Sequence, residues 1–281
     1  MDQIAPGVYV STQYPAVNVG FIAVQDGAIA IDVPTLPADA RAWRQAIEET
    51  VGGRIRYVIL TDAHPDRLLS AGLLGAPIIA ARPAYEQALA YTDGFWRSVV
   101  EGWTRRYPAS AGELSSVSVA LPEMLFTGRV TLHKGDHQVT IECVAGAAPG
   151  SAWVHLVGQG ILFSGDTVVI GTHPIMAAVP DTVEWLETLR SLRRERFART
   201  IIVPGRGPLG NSADTSALSD FLTLARRRVR SLHTAGRPRA ETAGLVAELL
   251  SSFPVPDEER DWIQRRVKAG LDHLYEELRQ A

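Results

Sequence analysis

A chain of 281 residues, 46% hydrophobic and 21% charged, is long enough to bury a large core as one α/β domain or as one domain with an extension. Its formal net charge of −3 supplies no global field for nucleic acid or an anionic membrane, and its single cysteine, Cys143, excludes an internal disulfide and a Cys-rich zinc module. No apolar run approaches the ~20 residues of a membrane span. Met1-Asp2-Gln3-Ile4-Ala5-Pro6 lacks the basic and apolar regions of a signal peptide, so a cytoplasmic location is expected, with neither membrane nor nucleic acid as partner.

The chain opens with short β-rich segments: Gly7 to Val10, Asn18 to Val24 and Ala28 to Asp32, with Asp26-Gly27 as a hairpin signal before the last. Residues 38–51 predict a helix with Trp43, Ile47 and Val51 on one face, stopped by Gly52-Gly53. Arg56 to Leu60 predicts a buried strand that delivers the loop Thr61-Asp62-Ala63-His64-Pro65-Asp66-Arg67. A helix from Asp66 and a strand over Pro77 to Ala80 follow, an alternation that predicts an α/β arrangement.

Residues 83–112 predict helix and carry Tyr85, Tyr91, Phe95, Trp96, Trp103 and Tyr107, either as inter-helix packing or as an aromatic wall over a pocket. Strands return at 129–132, 139–144, 153–157 and 161–163, then an amphipathic helix over 181–194 and a last strand over 200–203. From Asn211 the pattern is helical only, over about 214–234, 239–252 and 257–280. This divides the chain into residues 1–210 and a helical extension, 211–281, whose apolar faces need a partner surface on the same chain or on a second copy. A homodimer is the expected oligomer. The run Arg226-Arg227-Arg228-Val229-Arg230 reads as a solvated helix face.

Five segments share one order with a known pattern: Asn18-x-Gly20 with Ile31-Asp32; Thr61 to Arg67; Gly146-Ala147-Ala148-Pro149-Gly150-Ser151; Phe163-Ser164-Gly165-Asp166; and Val203-Pro204-Gly205-Arg206-Gly207. Over residues 4–210 the chain resembles the metallo-β-lactamase superfamily, nearer its glyoxalase-II-like hydrolase branch than the drug-resistance enzymes. The resemblance implies a four-layer αββα sandwich with the site at one edge. The family writes Thr-His-x-His-x-Asp-His where this chain has Asp62 for the first histidine and Arg67 for the last.

Carried over residue by residue, the first metal would be held by Asp62, His64 and Asp166, with Ala147 offering no donor. The second would be held by Asp66 and Asp166, with Arg67 and Arg206 in the remaining places, and a guanidinium has no lone pair for a metal. The two arginines either pair with Asp66 and Asp166 in place of the ion, or point to solvent; spare donors would suit an anion. His173 is a candidate accessory ligand or an ordinary loop histidine. The implied cofactor is no di-zinc centre and at most one divalent ion: zinc, iron or manganese.

Two functions follow from the resemblance. One is a hydrolase-like protein acting on an activated ester, thioester or lactone through His64 and Asp66, with one metal or none. The other is a non-catalytic module that binds a small molecule or assembles with partners.

Overall fold

The computed structural model describes residues 1–135 and 137–280. Strands β1 (Asp2–Ala5), β2 (Val8–Ser11), β3 (Val19–Val24) and β4 (Gly27–Ile31) form an antiparallel run. Helix α1 (Pro37–Val51) carries the chain over to β5 (Ile55–Ile59), which pairs parallel with β4. Pro37 starts α1 without a missing hydrogen bond, and Gly52 ends it in the left-handed region at φ 61°. The short helix α2 (Pro65–Leu68) precedes β6 (Ile78–Ala81), and helices α3 (Arg82–Ala90), α4 (Asp93–Arg106) and α5 (Ala111–Ser116) lead to β7 (Met124–Phe126). These strands make one mixed seven-stranded sheet in chain order.

The second sheet is built from β8 (Arg129–Lys134), β9 (His137–Cys143), β10 (Ala152–Leu156), β11 (Ile161–Val169) and, after helix α6 (Thr182–Ser191), β12 (Ile201–Arg206). Its order is β12-β11-β10-β9-β8, with only the β11–β12 pair parallel. The two sheets face each other across a core that includes Ile22, Ile29, Ile141, Val154 and Phe163. The approach is close: a Cβ on Gly20 of β3 would lie 2.3 Å from the Phe163 ring of β11, so a side chain there would push the sheets apart. Trp43 and Ile47 of α1 cover the outer face of the first sheet, as the helical spacing predicts.

Helices α7 (Ser216–Thr234), α8 (Val246–Leu250) and α9 (Arg260–Gln280) follow β12. They pack in the same chain, on the outer face of the second sheet, in a core that joins Trp153, Leu162 and Ile202 to Phe221, Leu249 and Leu271. The arginine run on α7 divides: Arg227, Arg228 and Arg230 are exposed, but Arg226 is half-buried against Glu277 of α9 at 2.7 Å. Three features escaped the sequence pattern. The edge strands β1 and β7 are only four and three residues long, and residues 239–245 form a 3₁₀ turn rather than the start of an α-helix. No helix among the described residues is long and apolar enough to cross a membrane.

Leu271 is fully buried where α9 meets the second sheet's core. Leu271→Ala is expected to cost about 2–5 kcal/mol in urea denaturation, and removal of residues 211–281 to make the remainder aggregate. A soluble truncated chain with an unchanged melting temperature would show that the sandwich does not need these helices.

Candidate functional site

The site lies where strand ends from both sheets meet. Asp32 follows β4, Asp62 and His64 follow β5, Asp66 and Arg67 lie on α2, Asp166 lies in β11 and Arg206 ends β12. Backbone contacts knit this edge together. The Ala152 N–H donates to the Thr61 carbonyl at 2.7 Å, and the Asn18 amide donates to the carbonyls of Pro204 at 2.8 Å and Gly207 at 2.7 Å.

Arg67 is 0% exposed and lies among three carboxylates. Its Nε donates to Asp32 Oδ2 at 2.9 Å, Nη2 to Asp166 Oδ1 at 2.8 Å, and Nη1 to Asp62 Oδ1 at 3.4 Å. Arg206 donates from Nε to Asp166 Oδ2 at 3.0 Å and from Nη2 to Asp66 Oδ2 at 2.9 Å. Each Asp166 oxygen therefore accepts from a different arginine. Trp103 of α4 donates from Nε1 to Asp66 Oδ1 at 3.2 Å, and the Tyr91 hydroxyl donates to the Ala63 carbonyl at 3.0 Å. The aromatic segment thus packs against the site loop and also walls a cavity of about 290 Å³ lined by Asp66, Phe95, Val99, Trp103, Arg106 and Trp262.

Two backbone features make the cluster possible. Asp32 sits at φ 54°, a left-handed conformation unusual for a side-chain-bearing residue. It is held there by the Thr61 N–H and hydroxyl, at 2.9 and 2.7 Å, as well as by Arg67. Gly205 leaves room for the ion pairs: a Cβ there would stand 2.1 Å from Asp166 Oδ1 and 2.6 Å from Arg67 Nη2.

His64 is buried beside Asp62 and Asp166. Its backbone N–H donates to Asp62 Oδ1 at 2.9 Å, and its ring Nδ1 lies 3.2 Å from that same oxygen and 3.5 Å from Asp166 Oδ2. Asp62, His64 and Asp166 each offer a donor atom within 4.8 Å of the others, the one group of that kind found among the described residues. Asp62 Oδ2 and both ring nitrogens of His64 have no hydrogen-bond partner in the protein. Ala147 is buried in the core that the second sheet shares with the C-terminal helices and has only a methyl group to offer. His173 is not brought to the cluster. Its ring stands edge-on to Phe221 and Phe253, with Nε2 3.1 Å from the Leu249 carbonyl.

The charges explain the titration. Burial works against every ion here, but Arg206 and Arg67 outweigh it and hold the Asp166 carboxyl far below the usual carboxylate range. Burial likewise opposes ionisation of Asp62, and Arg67 and His64 overcome it, so that Asp62 is also lowered. For Asp32 burial wins over Arg67, and its carboxyl is raised. For His64 burial disfavours the cation, but the Asp62 and Asp166 carboxylates prevail and raise the imidazole. Four carboxylates facing two guanidinium groups leave room for that extra positive charge.

Sequence reasoning selected Asp62, His64, Asp66, Arg67, Asp166 and Arg206, and these do converge in space. It missed Asp32 and Trp103 as members of the cluster. The Ile31-Asp32 strand end was a signal for the first. Nothing local marks which of several tryptophans reaches Asp66.

Arg67→Met is expected to strand buried carboxylates and to destabilise the fold by about 3–5 kcal/mol in denaturant melts. Loss within experimental error of zero would mean the pairs contribute nothing. Stability should also depend on pH from both sides. His64 is raised, so its contribution is complete below its unfolded value of about 6.5 and drains as pH rises through the higher folded value. Asp166 and Asp62 are lowered, so theirs is complete above about 4 and is lost as pH falls toward the depressed folded values. Melting temperatures from pH 4 to 9 should fall on the alkaline side, and His64→Gln should flatten that limb; an unchanged limb would show that the imidazole is not charged.

The Lactamase_B model, the metallo-beta-lactamase superfamily, matches residues 15–206. A search of curated proteins finds no significant relative. A metallo-beta-lactamase from Pontibacter korlensis superposes with a TM-score of 0.61 at 19% identity, covering 79% of this chain and 97% of that one. A metallo-beta-lactamase family protein from Thermus thermophilus gives a TM-score of 0.67 at 17% identity, covering 98% and 95%. A stereoselective inverting sec-alkylsulfatase from a Pseudomonas species gives 0.71 at 14% identity; this chain is covered to 98% but spans only 49% of that protein. At such identities the structures speak for the fold alone, an α/β sandwich of mixed sheets with a C-terminal helical region. Together with the match over most of its length, they place the chain in the metallo-beta-lactamase superfamily.

Proposed function

We propose that this chain is a non-hydrolytic, ligand-binding member of its superfamily, in which arginine ion pairs stand where a second metal ion would be held. The observation that carries this reading is the pair of arginines. Arg67 and Arg206 place guanidinium nitrogens 2.8–3.0 Å from the carboxylates of Asp66 and Asp166, the two acidic ligands left at that position. A cation there would have to displace two buried, hydrogen-bonded positive charges. The donor set therefore does not fit a two-metal centre. Asp66 is further engaged by Trp103, which leaves it poorly placed to orient a water molecule. His64 is 5% exposed, so a substrate carbonyl has little access to it.

A second reading, a one-metal hydrolase for an activated ester, thioester or lactone, is favoured by one observation: Asp62 Oδ2 and both His64 ring nitrogens make no hydrogen bond within the protein, although Nδ1 lies 3.2 Å from Asp62 Oδ1. Asp62, His64 and Asp166 would hold that ion, zinc, iron or manganese, and it would supply Lewis acidity. Against this, Arg67 already donates to one oxygen of Asp62 and one of Asp166, and Ala147 supplies no further ligand.

The test is elemental analysis of untagged protein, produced with added zinc, iron or manganese, beside assays on a nitrophenyl ester, a thioester and a lactone. The expected result is less than one equivalent of metal and no turnover that His64→Ala removes. One retained equivalent with metal-dependent, His64-dependent turnover would establish the second reading instead. Two equivalents would overturn the arginine substitution as well.

A further inference from the structure

Arg206 also borders a second cavity, which is lined by three arginines. Arg106 ends α4, Arg206 ends β12, and Arg266 lies on α9, so three separate elements each bring a guanidinium to one space of about 160 Å³. Trp262, Asn18 and Glu259 complete the part of the lining that matters here. The guanidinium carbons of Arg106 and Arg266 lie 4.1 and 4.4 Å from the Trp262 ring centroid, which fixes both side chains against one wall.

Each arginine has a committed side and a spare one. Arg206 spends Nε and Nη2 on Asp166 and Asp66, Arg106 spends Nη2 on Glu259 at 2.7 Å, and Arg266 spends Nη2 on the His173 carbonyl at 2.7 Å. Left over are Arg206 Nη1, Arg106 Nη1 and Arg266 Nε, all buried and without a hydrogen-bond partner. Arg206 is only 5% exposed, so water does little to satisfy it. Buried donors without partners are rare, and three arginines that line one cavity and each keep one call for an acceptor. Glu259 is the single acidic side chain in that lining, and Arg106 already holds it. The crowding is felt: burial and the neighbouring Arg206 pull Arg266 down to about 9, which still leaves it charged at neutral pH.

We propose that this cavity binds a small tetrahedral oxyanion, phosphate or sulfate, free or as the headgroup of a monoester, clamped by Arg106, Arg206 and Arg266. The proposal rests on the ligand-binding reading above and names its ligand class. The size fits, because a cavity of about 160 Å³ has room for an ion of a few heavy atoms. The number of donors also favours a tetrahedral ion. One planar fork satisfies a carboxylate, whereas single spare donors on three separate elements match an ion with acceptors on every side.

Calorimetry on the full chain at fixed ionic strength tests this with inorganic phosphate, sulfate, methyl phosphate and acetate. Phosphate and sulfate are expected to bind one to one and raise the melting temperature, with acetate weaker by about tenfold. Arg266→Met should weaken phosphate by roughly tenfold or more. Should that variant not fold, Trp262 fluorescence serves: phosphate should change it in the parent protein, and Trp262→Phe should lose the change while keeping its fold. Methyl phosphate binding as well as phosphate supports a headgroup as the occupant, and binding of the free ion alone supports the ion. No effect beyond chloride, equal binding by acetate, or unchanged affinity in folded Arg266→Met would each overturn the proposal. Those failures would leave the absence of hydrolysis untouched, whereas His64-dependent turnover would overturn the parent reading while phosphate binding stood.

Discussion

The fully buried Arg67 guanidinium is the contact on which the site edge depends. It joins Asp32 and Asp62, at the ends of adjacent strands of the first sheet, to Asp166 in the second. A hydrophobic residue of similar volume would fill the space but leave the carboxylates bare, and buried ions without partners cost several kcal/mol each. A lysine would bring one charge to one point, where three carboxylates lie in three directions. The planar fork meets all of them, so the charge and the shape of arginine are both needed.

The rest of the edge is arranged around that ion. Asp32 accepts a left-handed backbone because Thr61 and Arg67 overdetermine its carboxylate. Gly205 gives up its side chain so that Asp166 and Arg67 can approach β12. Asp166 tolerates complete burial because both oxygens accept from a guanidinium, and its strong acidity follows from that pairing. The raised imidazole of His64 has the same origin: carboxylates in excess of the two arginines draw a proton onto the nearest base.

Legibility in the sequence followed locality. The strands from β2 to β5 were readable because alternating or continuous apolar runs are bounded by turn residues, and α1 because Trp43 and Ile47 recur at helical spacing. β1 and β7 were not, since strands of four and three residues carry too little pattern, and their pairing is decided by neighbours distant in sequence. The site loops were legible through five short motifs, and the arginines drew notice because they occupy ligand positions. Which carboxylate each arginine meets was not legible. Asp32 is 35 residues from Arg67 and Asp66 is 140 from Arg206, so only the closed fold brings them together. His173 shows the reverse: sequence nearness to Asp166 suggested a ligand, but the aromatic core of the C-terminal helices claims its ring.

The two arginines differ in a way that separates structure from function. Arg67 commits all of its guanidinium nitrogens to carboxylates and faces no solvent, so its part is to hold the edge closed. Arg206 commits two and keeps Nη1 free beside a cavity. One charge thus stabilises Asp66 and Asp166 and still leaves one donor without a protein partner. Arg266 and Arg106 reach that same space from the C-terminal helix and from the aromatic segment, each leaning on Trp262. The helices that follow β12 therefore do more than cover the second sheet. They bring Arg266 to the cavity that Arg206 lines, and an anion held there would tie those helices to the edge that Arg67 closes.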